Sequence, residues 1–188
     1  MFPILFFQSF RMRQNDNFVA LEDAPFAIPN SWKWCKLKDV AEFRQGKQVD
    51  IGKQYLISKQ NSIRFIRIVD ITQGNEQPRY VDFNNNDNIV TSSDIIMVRY
   101  GNCGFATTGY NGLIANNLFT IRTKIYNQYL LYCLKSSFVQ QHLTGKGATM
   151  KAINFKTLGE IFIPVPPIEE QQRIVDKLET ILPLIEDI

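Results

Sequence analysis

The 188-residue sequence predicts an α+β fold: a globular body on a twisted mixed β-sheet with flanking helices, then a long C-terminal helix with a coiled-coil seam. Three observations predict it. Short runs of β-branched residues are bounded by Gly, Asn and Asp, as strands are. Leu130, Leu134 and Phe138 recur every four residues, which is helical spacing. "PVPPIEEQQRIVDKLETILPLIEDI" closes the sequence, placing prolines directly before a charged amphipathic stretch. The boundaries follow: residues 1–23 carry no readable pattern, 24–166 form the body, and 167–188 form the helix.

Taken in order, the prolines and Asn30 of "APFAIPNSWKWCKLKDVAEF" mark a loop entering a strand near Trp32–Leu37. "IRFIRIVDI" (Ile63–Ile71) reads as a buried strand, stopped by the turn "TQGN". "FNNNDN" (Phe83–Asn88) is a loop. "DIIMVRY" (Asp94–Tyr100) is a strand that "GNCG" breaks, with Asp94 as the turn residue at its start. "LIANNLFTIRT" supplies one or two more strands. One helix is expected over Tyr129–Leu143, then a flexible glycine-containing loop, "TGKGATMKAIN", and a last strand in "LGEIFIPV".

In the closing helix, Pro166 and Pro167 suit a first turn, and Glu169 and Glu170 suit its dipole. Ile174, Leu178, Ile181, Ile185 and Ile188 step by 4, 3, 4 and 3, which is a heptad seam; Val175 and Leu182 broaden it. A core-packing helix shows the same spacing. Pro183 predicts a kink.

The formal net charge of +3 conceals an asymmetry. Up to Glu160 there are 19 Lys/Arg against 12 Asp/Glu, a balance of +7; from Ile161 there are 2 against 6, a balance of −4. A basic body points to a polyanionic partner. Cys35, Cys103 and Cys133 are odd in number and contain no CxxC pair, which fits a reducing cytoplasm and argues against a zinc site. "FPILFF" is too short for a signal peptide or a membrane span.

Several chemistries lack their residues. There is no GxGxxG or GxxxxGK[ST] loop, no HExxH, and no GxSxG elbow in "GFATTGYNG". His142 is the only histidine, and it reads as a surface or half-buried residue of the amphipathic helix. "PVPP" lacks the Asn or Asp that adenine methyltransferases place before paired prolines. Asp94 has no D…ExK partners to hold magnesium.

"APFAIPNSWKWCKLKDVAEF", "SSDIIMVRYGNCGFA", "YLLYCLKSSFVQQHL" and "GKGATMKAINFKTLGEIFIPVPPIEEQQRIVDKLE" together resemble one repeat unit of the specificity subunit of type I restriction–modification enzymes, over roughly Ala24–Ile188. "IPVPPIEEQQRIVDKLE" is the most specific piece, resembling the joint between target-recognition domain and spacer helix. The resemblance implies a non-catalytic, cytoplasmic DNA-binding subunit. In that family two such units pair their helices antiparallel, and each unit reads half of a split target. Modification subunits bring S-adenosylmethionine chemistry and a motor–nuclease subunit brings cleavage, so S-adenosylmethionine, Mg2+ and ATP are expected only on those partners. One unit in place of two implies a half-length subunit that pairs with a second copy or another half-subunit. Two alternatives stay open: the detached specificity end of a fused methyltransferase–nuclease, or a silent cassette acting only in assembly. The 21 residues from Ile168 would span roughly 30 Å as a helix, near the ~34–36 Å turn of B-DNA.

DNA reading needs phosphate anchors and donors that reach base edges. Three loops that glycine opens supply them: Arg44, Gln45 and Lys47 in "FRQGKQ"; Arg99, Tyr100 and Asn102 in "VRYGNCG"; and Lys146, Thr149 and Lys151 in "TGKGATMK". Each also reads as a solvated turn residue, and Tyr100 as a half-buried strand-end ring. The pairing residues of the helix are Ile174, Leu178, Ile181, Leu182 and Ile185.

Overall fold

The structure, a computed structural model, describes residues 25–74, 77–84, 87–144 and 152–186. Residues 1–23, most of the glycine-containing loop and Ile188 lie outside them, and with them the candidates Lys146, Thr149 and Lys151.

The chain opens with β1 (Lys33–Lys36), α1 (Leu37–Val40) and β2 (Ala41–Gln45), then a 3-10 turn at Ile51–Lys53. β3 (Ser62–Ile66), α2 (Ile68–Thr72), β4 (Arg79–Asp82), β5 (Ile89–Val90) and β6 (Ile95–Val98) follow. Next come β7 (Ala106–Thr107), β8 (Gly112–Ile114) and β9 (Leu118–Thr123). The chain closes with α3 (Asn127–Lys135), α4 (Ser137–Thr144), α5 (Phe155–Gly159), β10 (Phe162–Val165) and α6 (Ile168–Glu186).

The single mixed sheet expected from the sequence is divided. β2-β9-β6-β7 form an antiparallel sheet, β4-β3-β8-β5 a mixed sheet in which β3 and β8 run parallel, and β1-β10 a two-stranded ribbon. The division falls inside "LIANNLFTIRT". Leu118 N–H bonds back to the Ala115 carbonyl at 2.9 Å, and this turn carries the chain from one sheet into the other.

Period-2 alternation explains the layering. Ile95 and Met97 of β6 face one cluster with Leu37, Phe119, Ile121, Leu130, Leu134 and Leu158, under the helices. Ile96 and Val98 face the opposite cluster with Ile66, Ile71, Ile114 and Leu118, between the two sheets. All four β6 residues are therefore buried, each contributing roughly 1.5–3 kcal/mol. A smaller cluster of Phe65, Val81, Leu113 and Ala115 completes the mixed sheet.

Three elements differ from expectation, each for a local reason. "IRFIRIVDI" is a strand only to Ile66. Asp70 accepts the Arg67 N–H at 2.7 Å, capping a helix where the apolar run suggested continued strand. The helix expected over Tyr129–Leu143 is two helices. Ser136 sits extended at φ −62° and ψ 147°, and its hydroxyl accepts from Val139 N–H at 3.3 Å, restarting the chain as α4. α5 precedes the last strand because Asn154 accepts Thr157 N–H at 2.8 Å as an N-cap.

At the base of α6, Gln171 is buried and bonded twice. Its side-chain oxygen accepts Tyr126 N–H and its nitrogen donates to the Pro166 carbonyl, both at 2.8 Å. Tyr129 donates its hydroxyl to the Pro164 carbonyl at 2.7 Å. Val175 is buried, while Ile174, Leu178 and Leu182 are half-buried. Further out, Ile181, Leu184 and Ile185 are 37%, 68% and 59% exposed. α6 runs through Pro183 to Glu186. The face against the body is thus Gln171–Val175, and the expected seam becomes solvent-facing only in its second half.

Candidate nucleic-acid interface

Two of the three predicted segments converge on the Ala115–Asn117 turn where the sheets part. Gly46 N–H bonds the Leu118 carbonyl at 3.0 Å, and Lys47 N–H the Ile114 carbonyl at 2.9 Å. A Cβ at Gly46 would strike the Ile114 and Ala115 carbonyl oxygens, so this crossing requires glycine. From the other side, Arg99 N–H bonds the Asn117 carbonyl at 2.9 Å. The third segment is tied in by its flank. Tyr100 bridges to Ala152, and Ile153 N–H bonds the Arg99 carbonyl at 2.9 Å.

The predicted residues are not all loop residues. Arg44 and Gln45 belong to β2, and Lys47 forms an isolated bridge with Ala115, because β9 pairs with this segment as far as Gln45. Arg44 and Gln45 are exposed; Gln45 donates to the Asn116 carbonyl at 2.7 Å. Arg99 is half-buried and donates through Nε to the Ile153 carbonyl at 3.2 Å. Tyr100, 59% exposed, corrects the half-buried reading of its ring. Asn102 is exposed in the turn that Gly101 (φ 92°) and Gly104 (φ 88°) open. His142 is exposed, its Nδ1 2.7 Å from the Phe138 carbonyl.

Carboxylates hold many of the cations. Lys47 Nζ lies 2.8 and 2.9 Å from the two Asp87 oxygens, in a recess of about 410 Å³ walled by Phe43, Arg44, Gln45 and Asn88. Arg67 pairs with Asp70 through Nε at 2.9 Å and Nη2 at 3.0 Å, and Arg64 Nη2 reaches the same carboxylate at 3.0 Å. Arg122 pairs with Asp94 at 2.9 Å, and Asp94 also accepts Thr91 N–H, the turn role expected of it. Burial pushes the Asp70 carboxyl up, but the Arg67 and Arg64 partners outweigh it and hold it below its ordinary 3.8. Asp87 and Asp94 are lowered by the same balance, against Lys47 with the Asn84 amide and against Arg122 with Thr91. These acids stay ionised and their cations stay placed.

Sequence reasoning missed Gln48, Gln54, Arg67, Asp87, Asn88, Asn116 and Asn117. Gln48, Gln54, Arg67, Asn116 and Asn117 line a second recess of about 330 Å³ beside the same turn. The signal was present: "ANN" is a polar interruption inside an apolar strand run, and "NNNDN" is a concentration of base-compatible amides. Among the described residues no group of three or more His, Cys, Asp or Glu could hold a metal ion. No helix among them is long and apolar enough to cross a membrane.

Comparison with known proteins gives this surface its context. Among curated proteins, the type I restriction enzyme MjaVIII specificity subunit of Methanocaldococcus jannaschii is 24% identical over 154 residues, 78% of this chain and 35% of its own. The putative MjaX specificity subunit of the same organism is 40% identical over 65 residues, 35% of this chain and 15% of its own. The chain thus spans about a third or less of the curated relatives it matches. The fold is shared with the HsdS subunit from Thermoanaerobacter tengcongensis (TM-score 0.70, 23% identity, 88% of this chain and 40% of that one). A chain from a structural study of type I R-M system assembly and conformational transition is also similar (TM-score 0.71, 22% identity, 90% and 42%). A model of the type I restriction modification DNA specificity domain matches residues 29–187, nearly the whole described body and α6. The chain therefore belongs to the type I restriction modification DNA specificity domain family.

Proposed function

We propose that this chain is the non-catalytic recognition unit of a type I restriction–modification specificity subunit, and that it reads one half of a split target on duplex DNA. The observation that carries the reading is the meeting of the Arg44–Lys47 segment and Arg99 at one turn where two sheets part, with Tyr100 and Asn102 following Arg99 in the sequence. Basic groups there suit phosphate and guanine, and amides suit adenine. Lys146, Thr149 and Lys151, which precede Ala152 in the sequence, are further candidates in this reading. Modification subunits and a motor–nuclease subunit are its partners, S-adenosylmethionine, Mg2+ and ATP belong to them, and the assembly works in the cytoplasm.

In the same reading residues 24–166 are the recognition domain and 167–188 the spacer. α6 pairs as an antiparallel coiled coil with the helix of a second copy or another half-subunit. The exposed Ile181, Leu184 and Ile185 support this. Its 19 residues span about 28 Å, so a pair of such helices sets two recognition domains near one ~34–36 Å turn of DNA apart.

The test is to map methylated positions in cells carrying the modification subunits with and without this chain. A motif that appears only with the chain is the expected result. Fluorescence anisotropy with duplex DNA at three salt concentrations is the second readout. If six phosphates are neutralised, log K falls against log salt with a slope of about −5. No motif and no salt-dependent binding would remove the reading.

A further inference from the structure

We infer that Asn88 is a positioning residue for DNA recognition: it fixes the backbone of β2 so that the side chains of Arg44 and Gln45 meet DNA in one place. This rests on the DNA-reading role proposed above and names what holds that edge.

β2 is the outer strand of its sheet, so β9 alone pairs with it. Asn88 supplies a second support. It directly precedes β5 of the other sheet and donates through Nδ2 to the Arg44 carbonyl at 3.1 Å, a bond that crosses from sheet to sheet. One residue earlier, Asp87 holds the Lys47 ammonium at 2.8 and 2.9 Å. The Arg44–Lys47 segment is thus gripped at both ends from one short stretch. That stretch is itself braced, since Asp87 N–H bonds the Asn84 carbonyl at 3.0 Å and its Oδ2 accepts Asn84 N–H at 2.9 Å.

Arg44, Thr120 and Ile96 stand opposite one another across β2, β9 and β6, so their side chains share the face turned to the other sheet. On that face the hydrogen bonds close a triangle. Asn88 Nδ2 also donates to Thr120 Oγ1 at 3.1 Å, and the Thr120 hydroxyl donates to the Arg44 carbonyl at 3.3 Å. The protons balance: the amide nitrogen has two, the hydroxyl one, and a carbonyl oxygen takes two donors. Asn88 and Thr120 are both buried, and Asn88 Oδ1 has no hydrogen-bond partner. An apolar side chain would serve packing without leaving a buried oxygen unpaired. What the amide adds is a fixed backbone at Arg44. The side chains of Arg44 and Gln45 are exposed, and those are the groups it places.

The test is a double-mutant cycle on the full chain. Asn88→Leu removes the amide at similar volume, Thr120→Val removes the hydroxyl, and Thr120→Ser keeps it. A segment variant, Arg44→Ala with Gln45→Ala, removes the groups that Asn88 is inferred to place. Urea unfolding establishes the stability of each variant, and binding is read where all are folded; if Asn88→Leu does not fold, Asn88→Asp, which loses only the Nδ2 donor, replaces it. The probes are a duplex carrying the motif whose methylation the parent directs and the same duplex with that motif scrambled. Asn88→Leu and Thr120→Val should each lower the preference for the motif by about tenfold, and Thr120→Ser should retain it. Asn88→Leu should cost little further preference once the segment variant is in place. The salt slope on scrambled duplex should change by well under the ~0.9 that one phosphate contact carries.

Three results would overturn the inference alone. In one, Asn88→Leu and Thr120→Val lose stability yet keep the parent's preference, which makes the triangle a fold element only. In the second, the effect of Asn88→Leu adds in full to that of the segment variant, so it acts through other groups. In the third, the segment variant keeps the parent's preference, which leaves Asn88 nothing to position. A parent chain that directs no motif and binds no duplex removes the proposed function, and this inference with it.

Discussion

The surface around the Ala115–Asn117 turn and the outer half of α6 are finished to different degrees. Near that turn, Lys47, Arg64 and Arg67 each have a carboxylate within 3.0 Å, and those carboxylates accept backbone N–H groups as well. Along α6 burial falls away toward the end. Gln171 and Val175 are buried and bonded into the body, whereas Ile181, Leu184 and Ile185 stand in water. Each exposed side chain forgoes roughly 1.5–3 kcal/mol of burial. These cations are paired within the described residues, whereas the outer apolar side chains of α6 are not covered by them. The charged surface is held in place by its own carboxylates; the outer apolar side chains of α6 are exposed.

The sharpest way to break the first half of that comparison is to remove its central acid. Asp70 has a fully buried side chain serving two arginines and a backbone N–H. Asp70→Asn leaves both guanidinium groups poorly compensated, and a loss of about 3 kcal/mol is expected after allowing for their partial exposure. Urea unfolding monitored by circular dichroism reads it. A loss under about 0.5 kcal/mol, the size of an ordinary surface change, would mean that the edge is not preorganised by its carboxylates.

The boundary between the two halves of α6 is tested by Gln171→Ala. It orphans the buried Tyr126 N–H and the Pro166 carbonyl, for an expected loss of about 2 kcal/mol. Hydrogen exchange at Tyr126 should accelerate in step. Protection that survives the substitution would show the helix base to be held by Val175 packing instead.

Acid sharpens the comparison further. Asp70, Asp87 and Asp94 are lowered from 3.8 in the fold. A carboxyl lowered by folding adds stability that is present above its unfolded pKa and is lost as pH falls through the folded value. Stability should therefore decline below about pH 4, and Asp70→Asn should flatten that decline. Thermal melts between pH 7 and pH 2.5 check the sign. A parent whose stability rises on acidification would contradict the clamps.

The smallest effect on the fold, and the most telling for assembly, belongs to Ile181→Asp with Ile185→Asp. Both positions are exposed, so the folded unit should change by under about 0.5 kcal/mol. The molar mass by light scattering, at tens of micromolar, should fall from dimer to monomer. A parent already monomeric would make a different half-subunit the natural partner.

Local chemistry was legible in the sequence where one residue type dictates one structure. The prolines opened α6, "GNCG" ended β6, and the apolar run at Asp94–Tyr100 became the buried β6. What escaped was decided by side chain–backbone bonds. Asp70, Ser136 and Asn154 each satisfy an N–H that no hydrophobic period reveals, and each creates or splits a helix. The site was legible as a set of basic and amide residues near glycines. Its carboxylate partners were not, because Lys47 and Asp87 are 40 residues apart and only the fold joins them. The division into two sheets was hidden for the same reason: "ANN" marks an interruption in the strand run, but only the fold shows that the strands on its two sides join different sheets.

The pairing of β1 with β10 has a mechanical consequence. Lys33 lies opposite Val165 and Lys36 opposite Phe162, so the strands enter and leave the body side by side. Tension applied between residue 33 and α6 acts at one end of this ribbon. Because antiparallel bonds run perpendicular to the strands, such a load opens them one after another, as a zipper opens, rather than shearing them together. The first pairs to yield are those nearest α6, while the salt bridges from Lys36 and Lys38 to Glu160 close the far end. Gln171 also ties the base of α6 to Tyr126 at the start of α3, so a load on the helix is shared between the two-stranded joint and α3.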